Sequence, residues 1–367
     1  MFKIIKQSKI SKARTGELKT MHGKISTPFF MPIATKGAVK NLTPEELEEI
    51  GAEIILSNTY HLLARPGLAT IEKINGIHKL IGWNKPILTD SGGYQIFSLS
   101  KLIELDNRGV EFCSPDAGVK IFLSPEKALE FQKVIGSDIC MTLDVCLYYS
   151  KDKKQAEQAM KRTSLWAKRS KTISSSWKKK NKPLIFAIIQ GGFFKDLRKK
   201  SAEDLLKLDF DGYAVGGIFV GEPEKESFDI LKFVSLLLPQ NKPHYLMGAG
   251  YPEQIVKSVK LGLDMFDCVI PTRHARHGEI FAFKSKDIAG KNFYELIHIA
   301  KNQFKNDVMP IDKNCNCYTC KNFSRLQLHH LFRADESLYQ RLATIHNLKF
   351  YTELMKKIRN GIEKGKI

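Results

Sequence analysis

Short apolar runs alternate with longer stretches of helical periodicity up to about residue 270 of the chain. The runs lie at residues 53–56, 86–89, 138–143, 184–189, 212–215, 244–247 and 265–269. Strands that alternate with helices favour parallel βαβ units. This many units in one chain favour a closed (β/α)8 TIM barrel over an open sheet. The pattern therefore predicts an α/β fold.

Two of the intervening stretches open with a typical helix start. Ser124 and Pro125 precede one periodic stretch, and Tyr251 and Pro252 precede another. A capping residue followed by proline favours the first turn of a helix, because proline needs no hydrogen-bond acceptor there. We expect a helix to begin at each of these two positions.

The pattern changes after Ile270, where residues 271–278 are polar and basic. A cysteine cluster and a last helical stretch follow. The simplest architecture is a barrel with its catalytic pocket over residues 1–270 and a basic loop with a zinc-binding subdomain inserted near the barrel end over 271–345. A closing C-terminal helix would cover 346–367.

The cysteine cluster has the spacing of metal ligands. Cys315, Cys317 and Cys320 form a C-x-C-x-x-C set, while the other four of the seven cysteines are scattered singly. Three thiolates and one histidine can close a tetrahedral zinc site that has no open position for water. The fourth ligand stays open at this point, since His346 has rivals in His329 and His330. Reduced thiols with one metal site fit the odd cysteine count better than a disulfide framework.

The chain is strongly basic. Its 58 Lys and Arg exceed its 39 Asp and Glu by 19 charges, and the sequence pI is about 9.5. Such an excess is typical of proteins that neutralise phosphates, so a nucleic acid partner is favoured over simple solubility or contact with anionic lipid. No run is long and apolar enough to span a bilayer, and the N-terminus lacks a signal-peptide pattern. We therefore expect a cytoplasmic protein without a membrane partner.

Residues 151–182 are unusually rich in Lys and Arg and end in the run Lys178, Lys179 and Lys180. Such a segment is usually a solvated helix face. Its summed charge can still attract RNA without any one lysine being a specific contact.

Polar residues and glycines stand at the C-terminal ends of several apolar runs. They include Asp90, Asp144, Gln190, Gly217 and Asp267. In a barrel of this kind the strand ends converge on the face that holds the active site. Capping or an ion pair can explain one such aspartate alone, because a buried carboxylate must be paired, hydrogen-bonded or functional. Three of them beside glycines and a glutamine predict a site for a planar polar ligand. The glycine pairs Gly191-Gly192 and Gly216-Gly217 do not have the spacing of a nucleotide-cofactor loop.

Motifs along almost the whole chain match one family in order and spacing. They are Thr27-Pro28-Phe29-Phe30-Met31-Pro32, Asn58-Thr59-Tyr60-His61, Asp90-Ser91-Gly92-Gly93-Tyr94-Gln95, Gln190-Gly191, Gly212-Tyr213-Ala214-Val215-Gly216-Gly217, Tyr245-Leu246-Met247-Gly248, Asp267-Cys268-Val269-Ile270-Pro271-Thr272-Arg273, the cysteine cluster and Thr344-Ile345-His346-Asn347. With these motifs the sequence resembles the queuine tRNA-ribosyltransferases of the bacterial type, also called tRNA-guanine transglycosylases. The resemblance implies a (β/α)8 barrel with an inserted zinc subdomain.

The resemblance also implies a base exchange in tRNA that belongs to queuosine biosynthesis. The wobble guanine of tRNAs with GU(N) anticodons would be cut from its ribose and replaced by a 7-deazaguanine. Asp267 would be the nucleophile that attacks the anomeric carbon and holds the RNA covalently, and Asp90 would be the general acid and base. Two acids with distinct duties are the minimum for such chemistry, since one stabilises the oxocarbenium-like centre while the other moves protons.

The base-binding residues are likewise implied by the resemblance. Asp144 and Gln190 would bond the polar edges of the purine, and an aspartate can accept both the N1–H and the amino group. The Gly217 N–H would donate to the carbonyl oxygen of the base, and the backbone of Ile218 would accept an aminomethyl group. Tyr94 and Met247 would stack on the two faces of the ring. Ser91 and Asn58 would support Asp90. A pocket with stacking faces offsets the cost of swinging the base out of the RNA.

The implied partners are the anticodon loop of tRNA, the 7-deazaguanine base and a second copy of the chain in a homodimer. Arg273 and Arg276 would grip phosphates together with the basic segment, although the two arginines can equally form ion pairs at the barrel rim. The family pattern favours His346 as the fourth ligand of one structural Zn²⁺, with Cys315, Cys317 and Cys320.

Two departures from the usual pattern bear on the incoming base. Val145 stands where bacterial members commonly have Glu, and Phe219 stands where they commonly have Ala. The loss of an acid weakens the case for a cationic arm, so the incoming base is 7-aminomethyl-7-deazaguanine or, as the alternative, salvaged queuine. A non-catalytic zinc-bearing RNA-binding subunit would be expected to lack the acidic pair. A nucleoside or glycoside hydrolase would also use two carboxylates, but the charge balance and the cysteine spacing do not favour it.

Overall fold

A computed structural model describes residues 2–99, 101–113, 118, 120–178, 182–285, 287–290 and 292–367 of the chain. Its strands are β1 (Phe2–Gln7), β2 (Arg14–Thr20), β3 (Gly23–Thr27), β4 (Phe29–Met31), β5 (Ile33–Ala34), β6 (Ile55–Asn58), β7 (Ile87–Asp90), β8 (Lys101–Leu105), β9 (Val110–Cys113), β10 (Lys120–Leu123), β11 (Ile139–Met141), β12 (Leu184–Ile189), β13 (Gly212–Val215), β14 (His244–Leu246), β15 (Met265–Asp267), β16 (Glu279–Phe283) and β17 (Tyr294–His298).

The helices are α1 (Pro44–Glu49), α2 (Thr59–Ala64), α3 (Leu68–Lys73), α4 (Ile77–Ile81), α5 (Gly93–Leu99), α6 (Pro125–Val134), α7 (Lys153–Ser175), α8 (Lys195–Leu206), α9 (Glu224–Ser235), α10 (Pro252–Lys260), α11 (Ile270–Arg276), α12 (Tyr318–Asn322), α13 (Arg325–Arg333) and α14 (Ser337–Glu363), with a 3₁₀ turn at Asn302–Phe304. The helices α6 and α10 begin at the two prolines where the sequence predicts helix starts, and Ser124 caps α6 through the N–H of Lys127.

A parallel barrel forms the centre of the molecule. Its strand order is β4-β15-β14-β13-β12-β11-β7-β6-β5. The end strands β4 and β5 are separated only by Pro32, whose carbonyl accepts the N–H of Leu56 at 2.9 Å. The first and last strands are therefore two halves of one segment, and the sheet closes on itself. The predicted α/β barrel is confirmed.

The strand that closes the barrel is the one that the apolar pattern did not predict. Proline flanks or interrupts it at Pro28 and Pro32, and proline removes a donor from the ladder, so the segment does not look like a central strand. The bounds of β12 and β13 agree with the prediction, while β6 and β7 each end later than predicted, at Asn58 and Asp90. These two polar residues thus complete strands instead of following them.

Two hydrophobic layers hold the barrel together. Along β12, Phe186 and Ile188 belong to a cluster that contains residues of all the barrel segments, whereas Ile185, Ala187 and Ile189 pack with the surrounding helices. This alternation is what a strand between a filled barrel and a helical layer requires. The interior is therefore packed side chains, and the chemistry is confined to the barrel ends.

Smaller elements surround the barrel. Strands β1 to β3 form an antiparallel sheet, β8 to β10 form a second one, and β16 pairs with β17. Residues of α13, α14 and β16 share a separate C-terminal cluster that contains Ile280, Leu328 and Leu342. None of the described helices has an apolar stretch long enough to cross a membrane.

The last helix joins the two hydrophobic regions. Helix α14 begins at Ser337, packs Leu342 in the C-terminal cluster, and packs Leu348 and Tyr351 against the helical layer of the barrel. The predicted boundary at residue 346 therefore falls inside one continuous helix. The division into 1–270, 271–345 and 346–367 stays a prediction about domains.

Helix α7, capped by Asp152, forms most of the basic segment of residues 151–182. Its buried face includes Trp166, whose indole N–H donates to the Asn107 carbonyl at 3.1 Å. Most of its lysines lie on the opposite, solvated side of the helix. Lys179 and Lys180 lie outside the described residues.

Candidate active site

Asp90 stands at the carboxyl end of β7, directly in register with Asn58 at the end of β6. The Asn58 amide donates to Asp90 Oδ2 at 2.6 Å, and the backbone N–H groups of Thr59 and Gly92 both donate to Oδ1 at 3.1 Å. Burial, with a smaller contribution from the charge of Asp267, nonetheless raises the pKa of Asp90 to about 7. This carboxyl can gain or lose a proton near neutral pH.

Asp267 ends β15, on the same face of the barrel. Its Oδ1 accepts the Tyr245 hydroxyl at 2.6 Å and the Gly248 N–H at 3.0 Å. Its Oδ2 has no hydrogen-bond partner among the described residues. Burial raises the pKa of Asp267 above its ordinary value, although these two donors favour the ionised form. One oxygen is thus fixed in position while the other is available to a reacting atom.

Asp144 follows β11 and is bound to two polar side chains. The Ser91 hydroxyl donates to its Oδ1 at 3.3 Å, and the Gln190 amide donates to its Oδ2 at 2.8 Å. Burial raises its pKa to about 6, so the group is mostly ionised at neutral pH. The structure therefore joins Ser91, Asp144 and Gln190 in one network. Ser91 bonds Asp144 in this network, which differs from the predicted support of Asp90.

Two glycines allow the Gln190 amide to lie flat against the backbone. A Cβ at Gly216 would stand 2.8 Å from Gln190 Nε2, and one at Gly217 would stand 2.6 Å from Oε1. Gly217 also has a φ of +65°, in the left-handed region. Any side chain at Gly217 would displace the amide and strain the turn, so glycine is required there.

Arg198 on α8 is a site residue that the sequence interpretation missed. It is fully buried, and its guanidinium donates to the carbonyls of Gly192, Ile189 and Gly216 at 2.7–2.8 Å, and to Gly217 at 3.5 Å. Burial lowers its pKa to about 10, yet it stays charged at neutral pH. It ties together the two turns that carry Gln190 and Gly217. Its position on the buried face of α8, with Ser201, Ala202 and Leu205, is the signal that could have identified it.

The loop after Gly217 is organised around one carboxylate. Glu222 accepts the N–H groups of Phe219 and Val220 and the hydroxyl of Ser227. Phe219 has a φ of +60°, an unusual conformation for a residue with a side chain. Because the N–H and C=O of a peptide point in opposite directions, the Ile218 carbonyl is turned away from Glu222.

The two predicted stacking residues lie near this network. Tyr94 is on α5 with 47% of its surface exposed, and burial of its phenol together with Tyr148 raises its pKa. Met247 follows β14 and is half-buried. The structure places both at the active face, and their function in holding a ring stays a prediction.

A cationic cleft is lined in part by Val269, two residues after Asp267. Its volume is about 990 Å³, and its lining includes Arg273 and Arg276 of α11 together with Lys36, Lys40 and Arg341. Arg341 is neutralised by Glu46, at 2.6 Å. Neither Arg273 nor Arg276 has an ion-pair partner in the described part of the chain, so there both guanidinium groups are available to an anion. This surface can accept phosphates.

The cysteine cluster and His346 form a separate centre in the C-terminal region. One ligand atom from each of Cys315, Cys317, Cys320 and His346 lies within 4.8 Å of the others. His346 Nδ1 is 3.1 Å from Cys320 Sγ, while its Nε2 lies 2.7 Å from the Phe281 carbonyl. That carbonyl requires a proton on Nε2, which leaves the Nδ1 lone pair directed at the sulfurs. The set can hold one metal ion.

The rival ligands do not join this centre. His329 Nδ1 lies 2.7 Å from the carbonyl of Ile299, and His330 is exposed on α13. The prediction of His346 over both is therefore consistent with the geometry.

Comparison with known proteins yields one consistent result. The family described as queuine tRNA-ribosyltransferase matches residues 8–367. A queuine tRNA-ribosyltransferase of Dictyoglomus turgidum is 48% identical over 367 residues, which cover all of this chain and 92% of the relative. Proteins of the same description from Thermodesulfovibrio yellowstonii and Francisella tularensis subsp. novicida are 49% identical over 361 residues and 47% identical over 365 residues. The match with the Thermodesulfovibrio protein includes 98% of this chain and 91% of the relative. The match with the Francisella protein includes 100% of this chain and 95% of the relative.

Proposed function

The chain belongs to the queuine tRNA-ribosyltransferase family, and on that premise we propose that it exchanges the wobble guanine of tRNAs with GU(N) anticodons for a 7-deazaguanine. The observation that carries the proposal is the pair Asp90 and Asp267. Both are at carboxyl ends of barrel strands, and the charge of one raises the pKa of the other. A non-catalytic RNA-binding subunit would have no need for such a pair.

Asp267 is the nucleophile in this proposal. Its Oδ2 attacks the anomeric carbon of the ribose, the glycosidic bond to guanine breaks, and an ester holds the RNA on the protein. Tyr245 and Gly248 keep Oδ1 in place, so the attacking oxygen has a fixed orientation. Asp90 donates a proton to the departing base. The incoming base then loses a proton to Asp90 and attacks the anomeric carbon, which breaks the ester and restores both carboxyls. The Asp90 pKa of about 7 suits both directions of transfer.

Asp144 and Gln190 recognise the base. An ionised Asp144 accepts two donors from the pyrimidine edge of guanine, and the Gln190 amide with the Gly217 N–H serves the carbonyl oxygen. Ser91 and Arg198 keep these groups in position. Tyr94 and Met247 cover the two faces of the ring, and stacking lowers the cost of removing the base from the RNA.

The incoming base is 7-aminomethyl-7-deazaguanine. Support comes from the loop after Gly217, where Glu222 accepts the Phe219 N–H and the Ile218 carbonyl is therefore turned away from Glu222. A carbonyl is a good acceptor for an ammonium group. Val145 does not contribute, because its side chain is buried in an apolar cluster. The alternative is direct incorporation of queuine by the same mechanism.

The remaining partners follow from charge and ligand chemistry. The anticodon loop of tRNA binds the cationic cleft of Arg273 and Arg276, on the segment that follows Asp267. Cys315, Cys317, Cys320 and His346 hold one Zn²⁺, because three thiolates and an imidazole are the donors of closed structural zinc sites. When bound, zinc crosslinks the C-terminal module and takes no part in the reaction. A homodimer stays an expectation from the family.

The test is exchange of labelled guanine into tRNA by purified protein, followed by denaturing gel detection of a protein–RNA adduct. We expect incorporation and an adduct for the native chain, and neither for Asp267→Asn. Asp229→Asn changes an exposed carboxylate on α9 and serves as the matched control. Abasic tRNA in place of exchanged tRNA would indicate a hydrolase, and no reaction at all would indicate a binding subunit.

The same assay with 7-aminomethyl-7-deazaguanine and with queuine identifies the incoming base. Incorporation of the aminomethyl base alone supports the proposal. Incorporation of queuine alone supports the alternative, and turnover of guanine alone contradicts both.

A further inference from the structure

The face of the barrel opposite the active site holds a cluster of two histidines and an aspartate. His22 lies in the two-residue turn between β2 and β3, and His78 lies in α4. Asp138 immediately precedes β11, at the amino end of that strand. The catalytic aspartates end their strands, so this cluster is at the other end of the barrel and takes no part in their chemistry.

The side chains of the cluster converge on a single point. One ligand atom from each residue lies within 4.8 Å of the other two. His22 Nδ1 is 3.0 Å from each carboxylate oxygen of Asp138, and His78 Nε2 is 3.3 Å from Oδ2. The two imidazole rings are stacked with their centroids 3.7 Å apart. Each ring therefore directs one nitrogen at the same carboxylate.

The carboxylate is held in place by the backbone. The N–H groups of His22 and Ile87 donate to opposite oxygens of Asp138, each at 2.9 Å. Burial alone would raise the pKa of Asp138, but the neighbouring His78, Ile87 and His22 groups keep it below its ordinary value. A buried, ionised and fixed oxygen ligand is thus present.

Hydrogen bonding does not account for the whole cluster. His78 Nε2 is buried, and its approach to Asp138 does not have the geometry of a hydrogen bond; it has no other such partner among the described residues. A buried polar atom without a partner is uncommon and calls for an explanation. A cavity of about 600 Å³ opens beside both histidines, which provides an entry path and room for water.

We propose that His22, His78 and Asp138 form a second metal site, which binds a divalent first-row ion such as Zn²⁺. Two imidazole nitrogens and one carboxylate oxygen are a ligand set that such ions accept, and water from the cavity completes the coordination. The ion takes the place of the proton between His22 Nδ1 and Asp138, and it gives His78 Nε2 the partner that it lacks among the described residues. The side chain of His22 is 38% exposed, so it can move away from the stacked ring to admit the ion.

The proposed site differs from the cysteine centre in its ligands and in its consequence. It links the β2–β3 turn and α4 to the start of β11, and so joins the N-terminal sheet to the bottom of the barrel. Nitrogen and oxygen ligands bind more weakly than three thiolates, so the two sites can be filled one after the other.

The test is calorimetric titration of Zn²⁺ into the full chain after a mild chelator has removed weakly held metal and left the cysteine centre filled. We expect one further equivalent of Zn²⁺. His22→Gln and His78→Gln should each bind it at least about a hundredfold more weakly, since loss of even an outer partner costs about 10–100-fold. His330→Gln, which changes an exposed histidine on α13, should bind it like the native chain.

Cobalt provides a second measurement that a change in folding does not imitate. Co²⁺ in the further site should give the weak visible bands of nitrogen and oxygen ligands without sulfur charge-transfer bands. If His78→Gln fails to fold, His22→Gln decides, because its side chain is in an exposed turn. Absence of a further equivalent in the native chain, or unchanged binding in His22→Gln, overturns the proposal.

Discussion

Asn58 and Asp90 end two neighbouring parallel strands in register, and the Asn58 amide donates a 2.6 Å hydrogen bond to Asp90 Oδ2. The bond favours the ionised form of a carboxyl whose burial favours the neutral form. The strand pairing thus contributes to the proton affinity of the proposed acid and base, which burial raises most, because it fixes the donor relative to the acceptor.

Replacement of Asn58 by alanine should raise the pKa of Asp90. A hydrogen bond to a charged group contributes about 1.5–3 kcal/mol, which corresponds to an increase of about 1–2 pH units. The pH profile of guanine exchange should therefore lose the inflection near pH 7 and show it at higher pH. Asn360→Ala, on the exposed side of α14, is the control. An unmoved profile in Asn58→Ala would show that this bond does not govern the titration.

The raised pKa of Asp90 should also appear in the pH dependence of stability. Its ordinary value is 3.8 and its folded value is about 7, so between these values the folded state binds more protons than the unfolded state. The contribution of Asp90 to the free energy of unfolding therefore falls as the pH rises between these two values, and the loss is complete above about pH 7. The upper bound of this loss is about 4 kcal/mol, since a pKa difference of one unit corresponds to about 1.4 kcal/mol.

Asp90→Asn removes this titration. The free energy of unfolding, measured by denaturant titration, should increase in the variant relative to the native chain as the pH rises from about 4 to about 7. The absolute difference is a poor guide, because the asparagine amide cannot accept from all the donors around Asp90. A difference that stays constant with pH would contradict the assigned pKa.

Arg198→Lys should weaken binding of the incoming base more than it slows the chemical step. The guanidinium holds carbonyls on both turns that carry Gln190 and Gly217, and an ammonium cannot reach them with the same fork. We expect KM for the incoming base to rise about tenfold or more while kcat changes by less than about threefold, as loss of uniform binding does. Arg333→Lys changes an exposed arginine of α13 for comparison. An equal fall of kcat in Arg198→Lys would indicate a more direct function.

The parts of the site that the sequence predicted are those that depend on strand order alone. Asp90, Asp144, Gln190, Gly217 and Asp267 were identifiable because each follows or ends an apolar run, and parallel strands bring these positions to one face. Proton affinities were not accessible in this way. They depend on burial and on donors from neighbouring strands, such as Asn58 and Tyr245.

Contacts that cross between elements were not predictable from local patterns. The spacing of Arg198 from Ser201, Ala202 and Leu205 indicates a buried position, but only the packing of α8 shows that it binds carbonyls of two turns. The strand that closes the barrel was not predicted, because Pro32 interrupts its apolar run. The predicted boundary at residue 346 falls inside α14, because local patterns do not show where this helix begins. The cluster of His22, His78 and Asp138 joins positions that are up to 116 residues apart.

His346→Ala should release the metal of the cysteine centre and loosen the C-terminal module. Zinc content per chain should fall by about one equivalent, and exchange of backbone amides in α12 and α13 should become faster. His330→Ala should keep its zinc. Retained metal in His346→Ala together with loss in His330→Ala would reverse the assignment of the fourth ligand.

Glu222→Gln should separate the two bases that the site can receive. The glutamate accepts the N–H groups of Phe219 and Val220 and the hydroxyl of Ser227, and a glutamine must present a donor to one of them. The Phe219 peptide should then lose its fixed orientation, and the Ile218 carbonyl should no longer be held in one direction. We expect KM for 7-aminomethyl-7-deazaguanine to rise by about 10–100-fold, as loss of a charged contact does. KM for guanine, which has no aminomethyl arm, should change by less than about threefold. Glu226→Gln in the first turn of α9, whose carboxylate accepts the Tyr149 hydroxyl, is the matched control. An equal loss for both bases would mean that Glu222 supports the fold of the loop and does not select the arm.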